Sequence, residues 1–127
     1  MKNKTELVQS WLRKAASNET ALAASLEAQS YDTACFHAQQ AVEIYLKAFL
    51  IYRDVDYPFT HNLVKLVDQC AEIPPLFASL TETVAPLTPY AVELRYDHEF
   101  WPEKQTAQQA QQAAASVALF VRNLLNV

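Results

Sequence analysis

The sequence predicts an all-α fold, an up-and-down antiparallel bundle of four to five helices, and three observations point to it. None of the 127 residues is glycine, whereas average usage near ~7% would supply several. Sheet-rich folds need glycine for hairpin turns and tight strand–helix joints, while a bundle can use proline, Asn and Ser instead. Apolar residues recur at helical spacing along most of the chain. Finally, 51% of the residues are hydrophobic, enough for a real core and against disorder. One domain over residues 1–127 suits this length.

Leu7, Val8, Trp11, Leu12, Ala15, Leu22 and Leu26 predict a first helix near Thr5–Ala28, with the polar Ser17–Thr20 stretch as a point where it bends or breaks. Ser30 or Asp32 can cap a second helix reaching about Arg53. At 1.5 Å per residue it would span roughly 33 Å. Asp54–Phe59, with Pro58, forms a joint. Thr60 is placed to cap a third helix whose inner face is Leu63, Leu66, Val67, Cys70 and Ile73, stopped by Pro74–Pro75. Leu76, Phe77, Leu80 and Val84 suggest a short fourth helix. Thr88–Pro89 reads as cap plus first-turn proline, opening a segment through Asp97. A last helix, Glu103–Leu125, carries the stripe Ala110, Ala113, Ala114, Val117, Phe120, Val121 and Leu124, and its Ala and Gln content favours helix strongly.

Composition also limits function. Without glycine there is no P-loop, dinucleotide fingerprint or GxSxG elbow. The net charge of −4 excludes a whole-surface footprint for RNA or DNA, though not a local basic pocket. His37, His61 and His98 fall on separate elements without metal-ligand spacing, so no metal is expected. Cys35 and Cys70 sit on apolar faces and read as buried thiols of a reducing cytosol, a disulfide between them being the minor alternative. No cleavable signal, long apolar span or polybasic anchor is visible, and a soluble cytoplasmic protein away from membranes is expected.

Two polar clusters remain. On helix two, Gln39, Gln40, Glu43 and Lys47 share one sector, bracketed by Phe36 and Leu50. Glu43 and Lys47 stand in the favourable order for an ion pair one turn apart. The band is either an ordinary solvent face or the wall of a cleft or subunit interface. The second cluster is Glu93, Arg95, Tyr96, Asp97, His98 and Glu99. It is either an exposed salt-bridge cluster or a cation and imidazole placed to grip a phosphate or move a proton.

The run ACFHAQQAVEIYLKAFL, the following THNLVKL, the LTPYAVELRYD stretch and the Ala-rich last helix together resemble a small prokaryotic HEPN domain (higher eukaryotes and prokaryotes nucleotide-binding). The resemblance implies a homodimeric bundle with a cleft between subunits. It also implies pairing with a minimal nucleotidyltransferase in a toxin–antitoxin-like system, and no cofactor. Many such domains are metal-independent ribonucleases, marked by an arginine followed at short distance by a histidine. Arg95 matches the arginine, but the histidine would fall at Phe100, Trp101 or Pro102, and His98 comes too early. The incomplete motif points away from catalysis. The leading expectation is therefore a non-catalytic or weakly active dimeric module binding nucleotide or RNA through Gln40, Glu43, Lys47, Arg95 and Asp97. A ribonuclease using Arg95 and His98 and a purely structural bundle are the alternatives.

Overall fold

A computed structural model describes residues 3–127. Helix α1 is Lys4–Glu27, opened by the Asn3 side chain, which accepts from the Glu6 N–H at 2.8 Å. It runs unbroken through Ser17–Thr20. Asn18 and Thr20 bond back to the carbonyls of Lys14 and Ala16 at 3.1 and 3.2 Å, so their polar groups are satisfied without opening the helix. Helix α2 is Tyr31–Tyr52. The short connection makes α1 and α2 antiparallel neighbours.

A chain without glycine must still reverse direction at helix ends. Gln29, Asp54 and Asn126 take left-handed backbone conformations, with φ of 62°, 60° and 60°. The next amide then bonds back to close each end: Ser30 N to Ser25 O, Val55 N to Leu50 O and Val127 N to Arg122 O, at 2.8, 2.9 and 3.0 Å. Asn and Asp tolerate this region best; Gln29 bears the usual side-chain penalty, about 1 kcal/mol.

Helix α3 is Leu63–Ala71. Its cap is Asn62, which accepts from Lys65 N at 3.2 Å, and Thr60 instead braces Asn62 by accepting from its N–H at 3.0 Å. The region predicted as a short fourth helix is a 3-10 turn at Pro75–Leu80 leading into one α turn, α4, at Thr81–Val84. A second 3-10 run, Ala85–Tyr90, follows. No α-helix starts at Thr88. The Thr88 hydroxyl is committed elsewhere, accepting from Leu63 N at 3.1 Å to help cap α3. Residues 91–96 form successive turns. Helix α5 is Lys104–Leu125.

Helix α2 is the axis of the core, packed between α1 and α5. Tyr45, Leu46, Phe49 and Leu50 are wholly enclosed, facing Leu12 and Ala15 of α1 and Ala114 and Val117 of α5. Phe77 packs between Phe49 and Phe120, tilted against the first and edge-on to the second with ring centres 4.7 and 4.8 Å apart, and so ties the 3-10 segment to both helices. Along α5, Ala107 and Ala118 join the buried stripe, while Leu124 lies at the surface. Cys35 and Cys70 are buried free thiols. Burial pushes them up to about 11 and 12, respectively, which leaves them inert as nucleophiles. No described helix is long and apolar enough to cross a membrane.

Candidate functional site

The helix-two band is not a solvent face. Gln39, Glu43 and Lys47 are all buried, as is Leu50, and Phe36 is half-buried. Such groups are tolerated only when paired. Glu43 takes the Lys47 ammonium at 3.0 Å, the Gln39 amide at 2.9 Å and the His61 Nδ1 at 2.8 Å. Gln40 donates to Gln39 at 2.7 Å, and Lys47 also lies over the Tyr57 ring at 5.2 Å. Burial alone would raise the Glu43 carboxyl. The donors from Gln39, His61 and Lys47 outweigh it and hold the group below the usual carboxylate range. The acceptor capacity of Glu43 is thus committed inside the fold. What stays accessible is the edge of the Glu43–Lys47 pair, along a largely apolar groove with Leu7, Trp11 and Ile44.

Arg95 lies elsewhere. Its guanidinium stacks on Phe36, 4.2 Å from the ring centre, and 5.3 Å from the Tyr96 ring. Phe36 shares a face of α2 with the polar band but lies about two turns before Glu43, roughly 10 Å along the axis. Arg95, Asp97 and His98 therefore come together in one cavity, of about 710 Å³, which Gln40, Glu43 and Lys47 do not line. Arg95 makes no ion pair and no hydrogen bond among the described residues. Its planar fork of donors is left open.

The rest of the cavity is mostly aromatic. Tyr90 and Phe100 stack at 5.6 Å and 27°, and Trp101, 74% exposed, stands at the rim. Turn geometry holds Arg95 there: Leu94 N bonds to Pro89 O at 2.9 Å, and the Asp97 carboxylate accepts from Glu99 N, also at 2.9 Å. Asp32 and Asp97 add negative charge to the walls. His98 is almost fully exposed, with only Glu99 nearby at 4.0 Å. Nothing braces it for proton transfer, which tolerates little misplacement.

Sequence reasoning missed three partnerships. His61 completes the Glu43 network, where its position beside the Thr60–Asn62 turn suggests only helix-start bonding. His37 bonds Asn18 across the α1–α2 seam through Nδ1 at 2.9 Å. The Tyr45 hydroxyl bonds Glu19 of α1 and receives Arg122 Nε and Nη2 of α5 at 3.2 and 3.1 Å. The only sequence signal for the last was a tyrosine on an otherwise apolar face.

A family model described as "HEPN domain" matches residues 8–124. Among solved structures, the chain is similar to TT1696 from Thermus thermophilus, at 26% identity and a TM-score of 0.81, over 91% of this chain and 96% of that one. It is also similar in fold to ST0689, an archaeal HEPN homologue, at 19% identity and a TM-score of 0.75, over 98% of each chain. A search of curated proteins returns no match.

Proposed function

This chain belongs to the HEPN domain family, and from that premise we propose that it is a dimeric, non-catalytic or weakly active module that binds a nucleotide or an RNA end in the Arg95 cavity. The observation that carries the reading is Arg95 itself: a cation seated on Phe36 with its donors open, facing a cavity of aromatic rings. An unpaired guanidinium suits phosphate, and flat rings suit a base. The two carboxylates in the walls disfavour a long polyanion and favour one phosphate at a time. Pairing with a minimal nucleotidyltransferase in a toxin–antitoxin-like system rests on the family resemblance. The Glu43–Lys47 pair lines a separate groove and is not part of the Arg95 cavity in this reading.

Titration with nucleoside monophosphates and short single-stranded RNA, followed by quenching of Trp101, tests the reading. Wild type should bind, and Arg95→Ala should weaken binding about tenfold or more, as loss of a charge-assisted hydrogen bond predicts. No binding at millimolar ligand, or binding indifferent to Arg95→Ala, would overturn it.

The ribonuclease reading keeps one observation, that His98 lines the same cavity as Arg95. Incubation with structured RNA in EDTA separates the two. Cleavage lost in both Arg95→Ala and His98→Ala would establish the enzyme; intact RNA leaves the binding module.

A further inference from the structure

His37 stands in the Arg95 cavity, and Asn18 determines what it can offer there. The Asn18 amide nitrogen is committed to the Lys14 carbonyl at 3.1 Å, so its oxygen faces His37 Nδ1 at 2.9 Å. An amide oxygen can only accept, which requires the proton to sit on Nδ1. In the neutral ring Nε2 is then a bare acceptor. Nε2 has no protein partner, and no buried side-chain nitrogen among the described residues lacks one, so Nε2 is open to solvent. Burial, and after it the charge of Arg95, holds the imidazole below its ordinary value, which keeps the ring neutral near pH 7.

The position matters as much as the tautomer. His37 packs edge-on against Phe36 at 5.2 Å, and Arg95 stacks on the same ring at 4.2 Å. A cation and a neutral acceptor thus share one aromatic floor. The Asp32 and Asp97 carboxylates in the walls are acceptors that also repel a bound phosphate, whereas the neutral imidazole accepts a hydrogen bond without that cost. The nucleotide donors nearest a phosphate are the ribose hydroxyls, whereas base N–H groups lie farther out, where Tyr90, Phe100 and Trp101 offer stacking surfaces.

We infer that His37, oriented by Asn18, is a specificity-determining residue that accepts a hydrogen bond from a ribose hydroxyl of the nucleotide whose phosphate Arg95 holds, and so selects ribonucleotides over deoxyribonucleotides. The inference rests on the binding function proposed above.

The test titrates the purified full chain with each of the four ribonucleoside 5′-monophosphates and with their 2′-deoxy and 3′-deoxy counterparts. At least one ribonucleotide should bind about tenfold tighter than one of its deoxy forms, within the range of a well-made hydrogen bond. His37→Phe keeps a ring but no acceptor, and should erase that preference. Asn18→Ala should reduce it. Independently of any variant, ¹⁵N spectra of wild-type His37 should show the Nδ1–H tautomer, and Asn18→Ala should show a mixture. Equal affinity for ribo and deoxy forms in wild type, or a preference surviving in His37→Phe, overturns the role of His37. If Arg95→Ala still weakens binding in that case, the nucleotide reading stands without it. If Arg95→Ala changes nothing, or no nucleotide binds, both fall.

Discussion

At the scale of single residues, the energetics concentrate in two polar networks on α2. The Glu43 carboxylate is buried with Lys47, each side chain only 9% exposed. Removing one member leaves the other charge unpaired in a poorly solvated site. Glu43→Gln should therefore cost about 3–5 kcal/mol at pH 7, read as a lower urea midpoint. The pH dependence has a definite sign. The folded Glu43 value lies below its unfolded 4.5, so the unfolded chain binds the extra proton. This stabilisation is complete above that value and disappears as pH falls through the lower folded one. The gap between wild type and Glu43→Gln should accordingly narrow below about pH 4.5; a gap unchanged at acid pH would refute the assignment. In the second network, burial and then the Glu19 bond push the Tyr45 hydroxyl up to about 12. It remains a neutral bridge among α1, α2 and α5. Tyr45→Phe should cost about 1–3 kcal/mol, since Glu19 and Arg122 lose their common partner.

At the scale of elements, the absence of glycine has a measurable cost. Gln29 holds a left-handed backbone at the end of α1. Gln29→Gly removes the side-chain penalty but adds unfolded-state freedom, for a net gain of about 0.5–1 kcal/mol in thermal or urea melts. A loss would mean the Gln29 side chain contributes more than its backbone costs. Helix α3 depends on a residue twenty-five positions away, the Thr88 hydroxyl on Leu63 N. Thr88→Val should cost about 0.5–2 kcal/mol, and faster amide exchange at Leu63 would locate the effect. The Thr88–Pro89 pair does carry cap chemistry, as the sequence suggests. It caps a different helix because the fold docks the Thr88 hydroxyl on the start of α3.

At the scale of the whole molecule, the bundle places Arg95 at one end of the α2 polar face and the Glu43–Lys47 pair at its middle. Within one chain the two polar clusters line different places, a cavity at Arg95 and a groove at Lys47. The proposed dimer predicts a solution mass of twice 14.3 kDa, measurable by light scattering. A strictly monomeric mass would overturn the proposed dimer. Phe77 closes the core between Phe49 and Phe120, and Phe77→Ala should cost about 3–5 kcal/mol.

The sequence by itself determined the helical class, the positions of the long helices to within a residue or two, and the HEPN resemblance. Periodicity, alanine content and missing glycine are local properties, and local properties suffice for those. It also placed the Glu43–Lys47 pair, because one turn of helix sets that distance. Tertiary structure alone decided which polar groups were consumed and which were left open. His61, Asn18 and Thr88 reach their partners across eighteen, nineteen and twenty-five positions. No periodicity encodes such contacts, since they depend on how the helices pack and where turns return the chain. By that packing Glu43 was taken up by Gln39, Lys47 and His61, whereas Arg95 and His37 were left lining a cavity.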